Sequence, residues 1–409
     1  MEQGRKGVVR GDGSPWSTKG SRPPYTDEKG VRPLFAIALY ALAFRVFSGL
    51  LAFYANVVFP LYQPEQFTMS GKTSPFWDAF TRYDSGWYFD IARNGYRYVA
   101  DGRGNIAFFP VYPLLMRYVG RAFGRRAGDL YLGGIVVSWV AFVLAMVVMF
   151  WLARLDLPRR RAERAVLLSA IFPFAFFYGV AYTEALFLFF TVASFYCFRT
   201  RRWVLGGVCG GLATATRANG ILMLPSLAWI AWRSAEPTAR DRALAIAGLV
   251  LVGCGVGAYS LYIYQLSGNP LEWAATISRW GYYPGGAPIA GLARLARSLL
   301  THPYAYLAGD RLAPYDTLNG LTALVFVAAV PLVWWRLGAA YGWFMAANLW
   351  LPLSSGQYEG MGRYCAVLFP FFIWLASLRS RAVLTTALVL SAMLYTLCLA
   401  LFTTILPLF

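Results

Sequence analysis

Apolar runs long enough to cross a bilayer recur along this chain, and they constrain its fold more than any other feature. The first is PLFAIALYALAFRVFSGLLAFYANVVF, residues 33–59; about 20 such residues span the hydrocarbon core. Inside lipid every backbone N–H and C=O must be bonded within the protein, which leaves only α-helices and closed barrels. Runs this long without period-two alternation are helical. Further spans are expected near 130–153, 166–180, 184–198, 204–217, 219–232, 243–266, 318–335, 338–352, 364–378 and 382–407. Only 14% of the 409 residues are charged, against roughly 25% in soluble domains. The expected fold is all-α: a polytopic transmembrane helical bundle of about 11 spans.

The net charge of +18 could suggest a nucleic-acid partner. The arginines, however, sit in short loops between apolar runs rather than on one face, so membrane lipids are the expected partner and nucleic acid is not. With the N-terminus inside, loops 154–165, 199–203, 233–242, 335–338 and 379–381 become cytoplasmic, and they collect Arg159, Arg160, Arg161, Arg201, Arg202, Arg240 and Arg379. Residues 1–32, polar and rich in Gly, Pro, Lys and Arg, read as a disordered basic cytoplasmic tail. Residues 33–409 then form a single transmembrane domain with outer segments at about 60–129 and 267–317. Within the first of these, 108–126 is amphipathic and carries Arg117, Arg121, Arg125 and Arg126, which predicts an interfacial helix lying on the membrane.

No CxxC pair occurs among the five cysteines, and His302 is the only histidine. Neither a disulfide framework nor a metal site is indicated, and no cofactor is expected. His302, just before Pro303, reads as a capping or packing residue.

The polar interval TRYDSGWYFDIARNGY, 81–96, concentrates the chemistry. Asp84 is the leading candidate for a catalytic base, because a sugar hydroxyl attacking an anomeric carbon must give up its proton to a carboxylate within reach. Its plainer reading is an N-cap for the helix that follows. Asp78 is the alternative base and Asp90 ranks third, since it can pair locally with Arg93 or Asn94. Arg82, Tyr83, Trp87 and Tyr88 surround Asp84 and are candidates for substrate binding. Arg217 and Asn219 interrupt an apolar stretch; a guanidinium there needs a partner, either a lipid-linked phosphate or Glu184. Glu184 is the lone acid of a long apolar region and is functional or paired by default. Arg363, followed by Tyr364, begins a late span and reads as a second phosphate ligand or a snorkelling residue. Trp273, Arg279, Trp280, Tyr282, Tyr283, Tyr304, Tyr306 and Tyr315 gather in the second outer segment, as an aromatic belt or as surfaces for sugar rings. The glycines of 206–207 and 210–211 are expected to permit close helix packing.

RYDSGWYFDIARNGY (82–96), AFFPVYPLLMR (107–117), FPFAFFYGVAYTEALF (172–187), GLATATRANGILMLP (211–225) and GRYCAVLFP (362–370) resemble, in order, the PIG-V-type mannosyltransferases of the GT-C superfamily. The resemblance implies a GT-C bundle with interfacial helices in its first outer loop and a sugar, mannose, carried on a polyprenyl phosphate. It also implies an inverting single displacement without metal onto a lipid-linked or glycolipid acceptor, with the catalytic acid falling on Asp84. Tyr83 departs from the family's more usual Trp. The short Arg-dominated loops suit a bacterial plasma membrane, with the active site facing outside. A non-catalytic partner of a glycosylation complex and a lipid or sugar transporter are the other readings. A transporter should show repeated halves, and no internal repeat is found.

Overall fold

The computed structural model describes residues 31–62, 74–281, 288–304, 314–356, 358 and 360–406. The tail expected over 1–32 lies outside them apart from its last two residues, which open the first helix; Tyr282, Tyr283, Tyr306 and the Tyr315 side chain lie outside as well. In chain order the helices are α1 (Val31–Val58), the single turn α2 (Pro75–Asp78), α3 (Ser85–Asn94), α4 (Val111–Phe123), α5 (Ala127–Arg154) and α6 (Arg159–Ala170). There follow α7 (Glu184–Arg199), α8 (Trp203–Thr214), α9 (Leu224–Ser234), α10 (Ala239–Ser267), α11 (Glu272–Arg279) and α12 (Pro288–Thr301). The last are α13 (Pro314–Leu337), α14 (Ala339–Leu353), α15 (Met361–Ala366), α16 (Phe369–Ser377) and α17 (Arg381–Thr403). Among the described residues there is no strand.

Five of these helices, α1, α5, α10, α13 and α17, are long and apolar enough to cross a membrane. The protein is a multi-pass membrane protein. The other six expected spans are shorter or broken. At about 1.5 Å per residue, the 16 residues of α7 and the 15 of α14 fall short of a full crossing. The α-helix expected at 166–180 ends at Ala170, the span at 219–232 begins as a 3-10 helix over Ala218–Met223, and the span at 364–378 is split by a turn. Proline supplies the reason, since it lacks an N–H and cannot continue a helix. Pro173 follows the end of α6, while Pro225 and Pro370 stand in the first turns of α9 and α16.

The break between α6 and α7 shapes the centre of the molecule. Residues 172–183 hold no α-helix, only a short 3-10 helix at Ala175–Tyr178, yet are buried throughout, which lipid tolerates only where protein encloses the backbone. Their polar groups are met by side chains and backbone of other elements. Trp139 donates to the Gly179 carbonyl at 2.9 Å and Ser138 to that of Tyr182 at 3.2 Å, while the Ala181 amide donates to Phe80 at 3.0 Å. Arg45, midway along α1 and not singled out from the sequence, donates to Ala175 at 3.3 Å. An arginine at a span's centre costs about 2.5–3.5 kcal/mol on insertion scales. Here the cost is offset by Tyr395, whose hydroxyl accepts at 3.3 Å, and by the Phe142 ring, 4.1 Å from the guanidinium. A single charge in the middle of an apolar run was the signal that could have marked it.

α8 and α10 touch backbone to backbone, as the glycine pairs predict. A Cβ at Gly207 would lie 2.3 Å from the Gly248 carbonyl, and one at Gly255 only 1.8 Å from that of Gly211. The amphipathic run expected over 108–126 is helical from Val111 to Phe123. Its buried face, Tyr112, Pro113, Met116 and Gly120, rests on α5, with Tyr112 donating to Gly134 at 2.9 Å; Leu114, Tyr118 and Phe123 point outward. Arg117 caps the end of α3 by donating to the carbonyls of Ala92 and Arg93, where the dipole favours a cation.

Candidate active site

Asp84 occupies the N-cap position of α3 but makes no side-chain capping bond. Its Oδ2 instead accepts from Arg363 Nη1 at 2.6 Å. The backbone reaches this position through Tyr83, whose φ of 49° is left-handed, a conformation costing about 1–3 kcal/mol for a non-glycine residue. Tyr182 holds the kink: its hydroxyl donates to the Arg82 carbonyl and accepts from the Asp84 amide, each at 3.2 Å. Strain and brace thus fall on the residue beside the candidate base.

Arg363 enters from α15, where α16 has already been broken off by Pro370. It is inward-facing rather than snorkelling: its side chain is 13% exposed. While Nη1 bonds Asp84, its Nε bonds Glu184 Oε1, and its guanidinium lies 4.5 Å from the Tyr182 ring centroid. Glu184, the first residue of α7, is wholly buried. The same Oε1 accepts from Arg217 Nη1, so the ion pair considered for Arg217 is formed. Glu184 Oε2 is buried without a hydrogen-bond partner among the described residues. Arg217 lies 5.2 Å from the Tyr364 ring and within 3.4 Å of Thr183 Oγ1. Tyr88 Oη meets the same Thr183 hydroxyl at 3.4 Å, and burial pushes the Tyr88 hydroxyl up to about 12, so it stays a neutral hydrogen-bonding group.

Two carboxylates and two guanidiniums therefore meet in one buried cluster, with no net charge of its own. One carboxylate, Asp84, keeps 28% of its side chain exposed. The arrangement offers fixed cationic N–H groups for an anionic oxygen next to a carboxylate that can take a proton.

The remaining candidates lie outside this cluster. Arg82 is fully buried and committed elsewhere, pairing with Asp78 at 2.9 Å and donating to Thr403 at 3.1 Å and Asn56 at 2.8 Å. Asp78 is buried with it. Asp90 accepts from Asn94, Arg97 and Asn105. Burial works against its charged form, but those donors prevail and hold its carboxyl below the usual carboxylate range. Its ion pair is with Arg97 rather than Arg93. Asn219 is buried, bonded to Asn348 at 2.9 Å. His302 is exposed and, among the described residues, hydrogen-bonds only the neighbouring Thr301 hydroxyl. Trp87 stacks nearly parallel on Phe108 at 5.7 Å. Tyr182 and Phe177, which flank Arg363, were missed as site residues; nothing in an apolar run distinguishes a tyrosine that braces from one that only packs.

Residues 36–235 match the family model described as Mannosyltransferase (PIG-V). Over this stretch the chain is similar to the PIG-V-type mannosyltransferases. It contains Asp84, Glu184 and Arg217 but stops short of Arg363. Relatives agree: GPI mannosyltransferase 2 of Drosophila pseudoobscura pseudoobscura is 25% identical over 395 residues, covering 83% of each chain. GPI mannosyltransferase 2 of Cryptococcus neoformans is 32% identical over 148 residues, about a third of each chain at 34%. GPI alpha-1,6-mannosyltransferase 2 of Rattus norvegicus is 28% identical, covering 45% of this chain and 40% of its own. Among solved structures, the Archaeoglobus fulgidus oligosaccharyltransferase in its apo form aligns with a TM-score of 0.44 at 15% identity, over 88% of this chain and 56% of that one. The PIG-V-type resemblance read from the sequence agrees with these matches.

Proposed function

We propose that this PIG-V-type protein transfers mannose from a polyprenyl-phosphate donor to a lipid-linked or glycolipid acceptor, by single displacement with inversion, at the outer membrane face. The observation that carries the reading is the cluster itself: Asp84 on Arg363, and Arg363 sharing one oxygen of Glu184 with Arg217. The donor phosphate is bound by N–H groups of Arg217 and Arg363, which Glu184 holds at fixed spacing. The acceptor hydroxyl oxygen attacks the anomeric carbon as the bond from that carbon to the phosphate oxygen breaks. The bonding pair leaves with the polyprenyl phosphate, whose growing charge the guanidiniums stabilise. Asp84 takes the hydroxyl proton as the new glycosidic bond forms.

The test is direct. Purified protein in lipid nanodiscs, given polyprenyl-phosphate mannose with a radioactive sugar and a native lipid extract, should yield a labelled glycolipid. Labelling only from a nucleotide sugar, or none from either donor, would overturn the reading.

The outer placement of this site is supported by the arginines gathered in loops 154–165, 199–203 and 233–242. Ala100 lies in the segment before α4 and is exposed. Cysteine placed there, in a chain stripped of its native thiols, should react with a membrane-impermeant maleimide in intact cells. Reaction only after lysis would reverse the topology.

A further inference from the structure

Aromatic rings form an unbroken wall leading away from the arginines. Tyr182, beneath Arg363, lies 6.2 Å from Tyr88, and Tyr88 lies 5.3 Å from Phe108. Phe108 stacks on Trp87 within 11° of parallel, and Trp87 meets Trp280 at 5.0 Å and a right angle. Trp87 stands about one helical turn beyond Asp84 on α3, and Trp280 follows the end of α11. The far end of the wall is thus built from two distant parts of the chain and begins beside the candidate base. It also holds an unmet polar group: Trp280 Nε1 is buried with no hydrogen-bond partner among the described residues. A buried indole N–H normally finds an acceptor.

We propose that Trp87, Phe108 and Trp280 form a subsite for a neutral pyranose ring of the acceptor. The proposal rests on the reading of Asp84 as the base, which places the acceptor hydroxyl at Asp84 and the rest of its sugar on the side away from the phosphate-binding arginines. Aromatic carbon faces suit the C–H faces of a pyranose, and the Trp280 N–H suits one of its hydroxyls. Trp87, Phe108 and Trp280 are each partly exposed, with the Arg103 guanidinium 5.5 Å from the Trp280 ring.

Octyl α-mannoside and octyl β-glucoside, titrated against the full-length protein in nanodiscs, serve as probes, read by saturation-transfer NMR. Sugar-ring protons should be saturated strongly relative to the octyl chain, whose signal reports partition into lipid. Trp280→Ala should weaken ring binding about 10-fold, and Trp280→Phe, which keeps a ring but loses the donor, by about 3-fold. Equal ring saturation in the parent and both Trp280 variants, or signals from the octyl chain alone in the parent, would overturn the subsite. Ring binding intact but no transfer from polyprenyl-phosphate mannose would instead overturn the transferase reading and leave the subsite standing.

Discussion

Asp84→Asn should transfer sugar about 10²–10⁴-fold more slowly than the parent while remaining folded. The size follows from what a positioned general base contributes. The specificity follows from geometry, because the substitution keeps shape and hydrogen-bonding capacity and removes only basicity and charge. Capping can be set aside as an explanation, since the Asp84 side chain makes no capping bond. The cost to stability should be small, because the carboxylate is partly exposed and its pair with Arg363 is solvent-screened on that side. Donor KM should stay close to the parent value, as Arg363 keeps its bond to Glu184. Turnover near the parent's in well-folded Asp84→Asn would remove the assignment. Asp78 would then be the alternative, at the expense of its buried pair with Arg82.

The second large effect is expected at the arginines. Arg363 reaches Asp84 with Nη1 and Glu184 with Nε at once, a fork that a lysine ammonium cannot reproduce. Arg363→Lys should therefore keep the charge and the fold but lose roughly 10²–10³ in turnover, the usual cost of one misplaced donor to a developing anion. Arg217→Lys should behave alike but more mildly, because among the described residues Arg217 hydrogen-bonds only Glu184 and Thr183 in the cluster and does not bridge to Asp84. Removing both guanidiniums is a different experiment. Glu184 is fully buried, and stripping a buried carboxylate of its partners costs about 3–5 kcal/mol. The Arg217→Ala, Arg363→Ala double variant should thus unfold at visibly lower temperature, and Glu184→Gln added to it should restore part of the loss. Undiminished transfer in both single alanine variants would rule out phosphate binding by these residues.

Much of this was legible in the chain. Hydropathy gives the all-helical membrane class, because lipid imposes one rule on every backbone group within it. The rule does not fix how many runs cross. The stretches at 166–180, 219–232 and 364–378 have the composition of spans, yet prolines and enclosing protein turn them into broken segments. Whether an apolar run faces lipid or other helices is invisible in its composition. Arg45 shows the same gap: a charge within an apolar run demands a partner, but only the packing of α1 against Phe142, Ala175 and Tyr395 names it.

The site divides along the same line. Asp84, Glu184, Arg217 and Arg363 stood out singly, because charge in an apolar setting must be paired or used. The sequence alone also left Asp84 open between cap and base, and Arg363 between snorkelling and function. Tertiary structure decided those geometries, since Asp84 and Arg363 are 279 positions apart and the bond between them depends on how α3 and α15 meet. Local patterns reach only across a turn or two, where side chains on one helix face are neighbours. Which carboxylate meets which guanidinium, and which tyrosine braces the kink between them, is set by packing across the whole bundle.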